Sequence, residues 1–273
     1  MLRWLSSPAS DTQVTHGQRL WLYLVSIVIM ILLVAPTLIV IPMSFSDSQY
    51  LEFPPETWST RWYRHYINSD EWMLATRTSF KAAFLTMLFA TPVGVLAAYG
   101  LHASKVPFIR AAFVMLITPM MVPVVLIAVG AFYAYVKLQI LYTMTGLVLA
   151  HSLLAIPLVL IVTGSALKSY DMNQEMAARA LGAPRWRAFL TITLPQIRFA
   201  VVTSALLSFL ASFDEVVIAM FISGGDNPTL TRSMFNALRD QIDPTIAAIS
   251  TIMILVTTLM MVLAQIFGRG KGG

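Results

Sequence analysis

Cysteine is absent from all 273 residues, which excludes a disulfide framework and thiolate metal centres. Charge is nearly as scarce. Asp, Glu, Lys and Arg make up 11% of the chain, against about 25% in soluble domains. A surface in water cannot be assembled from so few charges, so most of this one must face lipid. Also missing are a His-Glu-x-x-His helix, a Gly-x-Ser-x-Gly elbow and a pair of catalytic acids. The only Gly-Lys is Gly270-Lys271, with Gln265 where a phosphate loop requires glycine and Gly272 after the lysine. No catalytic residue, metal site or cofactor is therefore expected, and no ATP site. The net charge is +5, but no basic stripe with interleaved aromatics accompanies it, so nucleic acid is not an expected partner.

What is abundant is apolar sequence, at 58% of residues and a mean hydropathy of +0.75. A spanning helix needs roughly 20 apolar residues to cross about 30 Å of hydrocarbon. Six stretches qualify: Leu20–Met43, Phe80–Leu101, Ala112–Val136, Tyr142–Ala166, Phe199–Ile222 and Ile246–Phe267. The predicted fold is all-α and polytopic, with tails at 1–19 and 268–273 and one long loop at 168–198. Pro36, Pro92, Pro119, Pro123 and Pro157 lie inside spans, where neighbouring helices and Ser/Thr side chains re-satisfy freed carbonyls. Most read as kinks, while the Pro119/Pro123 pair is spaced for either a hinge or a broken helix.

An even number of spans puts both termini on one side. That side carries Arg3, Arg19, Lys105, Arg110, Lys168, Arg179, Arg185, Arg187, Arg198, Arg269 and Lys271, and the positive-inside rule makes it cytoplasmic. The opposite loops collect most acids, Asp226 and Asp243 among them, and Trp58, Trp62, Tyr63, Tyr66 and Trp72 suit an interfacial belt.

The long loop has helical periodicity. Met172, Met176, Ala177, Ala180 and Leu181 share one face, and Asn173, Gln174 and Glu175 turn away from it. Gly182 is placed for a left-handed cap and Pro184 for a new helix start. Trp186, Phe189, Leu190 and Thr193 then form an inner face. Two short helices with a sharp bend suit either a lipid headgroup layer or another protein surface.

Asp214 and Glu215 are the carboxylates well inside a predicted span, where a charge costs about 2.5–3.5 kcal/mol. Ser204, Ser208, Ser212 and Glu215 fall on one helical stripe, with Asp214 beside it. Such a stripe suits a path for protonated amines, and the competing reading pairs the acids with an Arg or a helix end in another subunit. His151, also within a span, reads as a packed, hydrogen-bonded residue ahead of a proton relay.

Glu175-Met176-Ala177-Ala178-Arg179-Ala180-Leu181-Gly182-Ala183, followed by Ile192-Thr193-Leu194-Pro195, resembles the EAA loop of ABC-importer permeases. The family pattern is roughly E-A-A, three residues, G, then I-x-L-P. Counting back from Gly182, Met176 holds the place of the family's Glu, and Glu175 stands one position earlier. Phe53–Tyr63, Ser212–Ile218 and Asp243–Ala248 resemble segments of spermidine/putrescine-type permeases.

The resemblance implies a type I ABC importer permease fold in a bacterial inner membrane, with a cytoplasmic coupling helix. It implies a second homologous permease, two ATP-binding cassette ATPase subunits and a periplasmic solute-binding protein as partners. Glu175, Met176, Ala177, Ala178 and Gly182 would then couple to the ATPase. Glu215, Asp214, Ser208 and Ser212 are the candidate substrate path read from the helical stripe, Glu215 the first choice and Asp214 the second. The implied solute is a polyamine, with amino-acid derivatives and opines as alternatives. A secondary transporter would show internal repeats with interrupted helices, and no clear repeat is seen.

Overall fold

The computed structural model describes residues 15–104, 106–240 and 243–268. Arg3, Lys105, Arg269, Lys271 and most of both predicted tails lie outside the described residues. The chain divides into two compact units, one of residues 1–65 with 243–254, the other of 66–242 with 255–273.

The first unit opens with α1 (Leu20–Met43), whose bounds match the predicted span. None of its residues is buried, as fits a helix that is apolar all round and solvated by lipid. Beyond it a folded loop begins at the fully buried Ser44, whose hydroxyl lies 2.6 Å from that of Tyr63. Trp62 Nε1 donates to the Ser48 carbonyl at 3.0 Å, which explains why this tryptophan is buried. Trp62 sits in α2 (Arg61–Asn68), and His65 Nδ1 pairs with Thr245 Oγ1 at 3.1 Å, at the start of α13 (Thr245–Gly268).

The second unit is built on three helices packed together: α3 (Asp70–Ala103), α6 (Met144–Ser169) and α10 (Arg198–Phe213). Helix α3 begins ten residues before the predicted span, because Ser69 caps it by accepting the Trp72 N–H and Asp70 and Glu71 complement the dipole of its first turn. Small residues let it approach α6 closely, as membrane helix pairs require. A Cβ placed on Gly94 would lie 2.6 Å from Val159 Cβ. Gly94→Leu is therefore expected to destabilise the bundle by about 1–3 kcal/mol through overpacking. A thermal midpoint in detergent equal to that of the native chain would contradict this packing.

Two predicted spans are broken. Helix α4 (Ile109–Ile117) continues as a 3₁₀ turn over Thr118–Met120, and α5 (Val124–Leu138) leaves at 93°. Pro119 opens the 3₁₀ turn and Pro123 caps α5, so the proline pair breaks the helix. The predicted Phe199–Ile222 span also fails as one helix. Helix α10 stops at Phe213, and α11 (Val217–Ile222) starts after Asp214-Glu215-Val216. Helix α12 (Leu230–Asp240) completes this unit's periphery. Among the described residues there are no strands, and four helices are long and apolar enough to cross a membrane, or up to six if each bent pair counts as one span.

The predicted aromatic belt is corrected in part. Trp58 is 69% exposed, but Trp62, Tyr66 and Trp72 are buried. Two of their polar atoms have partners within the fold: Trp62 Nε1 with the Ser48 carbonyl and Tyr66 OH with Thr76 Oγ1 at 2.7 Å.

Candidate functional site: the bent loop and its buried carboxyl

Between α6 and α10 the chain folds as predicted into two short helical pieces. Helix α7 (Asn173–Ala180) ends at Gly182, which adopts φ +94°. Gly182 N donates to the Arg179 carbonyl at 3.0 Å and Ala183 N to the Ala178 carbonyl at 3.1 Å, the paired bonds of a Schellman cap. Pro184 then precedes α8 (Arg185–Ala188), which passes into a π turn (Phe189–Thr193) and α9 (Leu194–Gln196) before an 81° bend into α10.

The faces differ from the sequence expectation. Glu175 does not turn away; it is fully buried. Its Oε1 accepts from Tyr99 OH of α3 at 2.5 Å, and its Oε2 accepts from Thr193 Oγ1 of the π turn at 2.5 Å. Arg185 Nε donates to the same Tyr99 hydroxyl at 3.3 Å, with its guanidinium 5.4 Å from the ring centroid. The Tyr99 and Phe189 ring centroids are 4.4 Å apart. One carboxyl therefore joins α7, the π turn and the end of α3. A buried carboxyl is tolerated only when its oxygens are satisfied, and here both are.

With Glu175 inside, the apolar face of α7 points out. Met176 is 52% exposed and Leu181 91%, and Ala177 is exposed too. Trp186 and Leu190, predicted on the inner face, are exposed as well; Phe189 and Thr193 take that position. Exposed large apolar side chains on a short bent loop make a surface suited to a protein partner.

The candidate path residues are rearranged too. The helix breaks before Glu215, so the single stripe does not continue through it. Ser204, Ser208 and Ser212 are buried where α10 packs within this chain, not on an open face. Ser212 lies 2.7 Å from His151 Nδ1 and donates to Thr86 Oγ1 at 3.3 Å. His151 is thus packed and hydrogen-bonded. Glu215 Oε1 accepts the Ile218 N–H at 2.9 Å and so caps α11. Asp214 is the acid left exposed at this break. The signal for such a break is an Asp between two apolar segments, since Asp favours helix ends over interiors, followed by a Glu whose charge suits the first turn of the next helix.

Asp243 and Asp240 have local partners. Asp243 Oδ1 accepts from Thr245 N at 2.8 Å. Arg239 Nε donates to Asp240 Oδ1 at 2.7 Å, and that bond holds the exposed Asp240 carboxyl below its usual range.

Apolar spans long enough to cross a bilayer, two of them broken, define a multi-pass membrane protein. Residues 90–272 match the model of the binding-protein-dependent transport system inner membrane component, and the chain belongs to that family. The spermidine/putrescine transport system permease protein PotC of Haemophilus influenzae (strain Rd) is 32% identical over 86% of this chain and 91% of its own. PotC of Escherichia coli K12 is 28% identical over 86% of this chain and 89% of its own. Among solved structures, the bacterial alginate ABC transporter in complex with an alginate pentasaccharide-bound periplasmic protein has a chain that superimposes with a TM-score of 0.70. That chain is 17% identical, and the match covers 92% of this chain and 93% of that one. The fold is accordingly that of an ABC importer permease, and the chain is a multi-pass inner-membrane transport subunit.

Proposed function

We propose that this chain forms half of the translocation path of an ATP-driven polyamine importer. A second, homologous permease supplies the other half. Two copies of a separate ATPase bind the 168–198 loop, and a periplasmic binding protein delivers solute from the opposite side. Both termini and the loop are then cytoplasmic, and ATP hydrolysis belongs to the partner, not to this chain.

The observation that carries this reading is the Glu175 carboxyl, bound to Tyr99 and Thr193. The exposed Met176, Ala177, Leu181 and Trp186 would seat in the ATPase, with Ala178 and Gly182 setting the helix approach and the bend. Glu175 would act from inside: a push on the loop reaches α3 through Tyr99 and α10 through Thr193. Spermidine or putrescine is the solute named for the PotC relatives. The fold itself does not set the charge of the cargo, since the alginate transporter shares it. Selection must lie in side chains and in the binding protein.

Proteoliposomes holding the chain with its second permease, ATPase and binding protein should take up spermidine only when ATP is present. Uptake by this chain alone would overturn the reading. Asp214 is the path residue the break exposes, and Glu215 and the buried Ser208 and Ser212 would support its surroundings. Asp214→Asn is expected to lower spermidine uptake about tenfold, on the order of the 1.4 kcal/mol that one charge contact contributes, with assembly unchanged. Native uptake rates in that variant would remove Asp214 from the path.

A further inference from the structure

At the loop end of the second unit lies a cavity that the transport reading leaves unused. It encloses about 660 Å³ between the end of α3, the start of α4 and the end of α6. His102, Arg110 and Lys168 come to its rim from those three helices. Its walls are apolar, with Phe113, Val114 and Ile161 among them, and no acid lines it. Arg110 and Lys168 are exposed, and neither forms an ion pair among the described residues.

We infer that this cavity binds one anionic phospholipid, headgroup phosphate on the basic rim and an acyl chain along the apolar wall. Charge and shape choose the occupant together. Basic pockets between spanning helices favour acidic lipid headgroups. A free phosphate would leave the apolar wall uncovered, and a cationic solute would be repelled by the rim. Gly164 on the cavity wall leaves room, because a Cβ built there meets nothing within 4 Å.

The test uses the assembled importer, delipidated and titrated with phosphatidylglycerol or phosphatidylcholine of matched acyl chains, with bound lipid counted by native mass spectrometry. The native complex is expected to prefer phosphatidylglycerol about thirtyfold, as two cations on one headgroup would give. Arg110→Gln with Lys168→Gln should abolish the preference. Gly164→Leu should fill the cavity and displace the lipid while leaving the rim charges in place, and inorganic phosphate should not compete. Equal retention of both lipids by the native complex would overturn the inference, as would a preference that survives both variants. Either is the result if a partner subunit covers the cavity. Competition by inorganic phosphate would overturn it too, by making the site one for a free anion.

Discussion

Glu175→Ala in the assembled importer is expected to cut solute uptake per ATP hydrolysed by about tenfold or more, while hydrolysis continues. The carboxyl sits on α7 and is hydrogen-bonded to the π turn and to α3 at once. Alanine leaves the Tyr99 hydroxyl and Thr193 Oγ1 without that acceptor in a buried site, at about 1–3 kcal/mol each. A loss of that size in the link between loop and bundle is worth at least tenfold in coupling, since 1.4 kcal/mol is a factor of ten. The ATPase would still meet the exposed Met176 and Leu181, so assembly should persist. Glu175→Gln keeps one acceptor but presents an amide N–H₂ to the other donor, and should fall between the two. Uptake and hydrolysis measured together in proteoliposomes check this, and an unchanged ratio in Glu175→Ala would contradict the role given to the carboxyl.

The second large effect is expected at Gly182. Its φ of +94° is a conformation that L residues rarely adopt, and the Schellman bonds of Gly182 and Ala183 depend on it. A Cβ at this position meets no atom within 4 Å, so the penalty is one of backbone conformation, not of crowding. It amounts to about 1–2 kcal/mol for an ordinary residue and more for a β-branched one. Gly182→Val should therefore straighten or fray the bend between α7 and α8. Because the bend sets where the exposed apolar face points, both uptake and the stimulation of ATP hydrolysis by the binding protein should fall at least tenfold. Gly182→Ala should be milder. Full stimulation in Gly182→Val would show that the bend is not needed.

Much of the architecture could be read from composition and spacing. The α1 bounds follow from an uninterrupted apolar run, and the break near Thr118–Pro123 follows from two prolines four positions apart. The Gly182 bend was also legible, since a glycine after a short periodic run has few other uses. The break at Asp214 was not, because an apolar window averages over Asp214-Glu215-Val216 and sees one continuous span. The orientation of α7 was missed for a deeper reason. Periodicity assigns an apolar face to the interior, but in this loop Met176 and Leu181 are exposed and the buried position is held by a carboxyl. Its partner Tyr99 lies 76 residues away on α3, and no local pattern announces it. For the same reason the serines looked like an open stripe, when Ser212 in fact pairs with Thr86 and His151 across helices.

The central claim is that loop and bundle are joined through the contact between Glu175 and Tyr99. A double-mutant cycle with Glu175→Ala and Tyr99→Phe, read as uptake per ATP in the reconstituted importer, tests it most directly. If the two side chains form one mechanical link, the double variant should be no worse than Glu175→Ala alone, giving an interaction of about 1 kcal/mol or more. Losses that simply add would mean the two residues act independently, and the claim would fail.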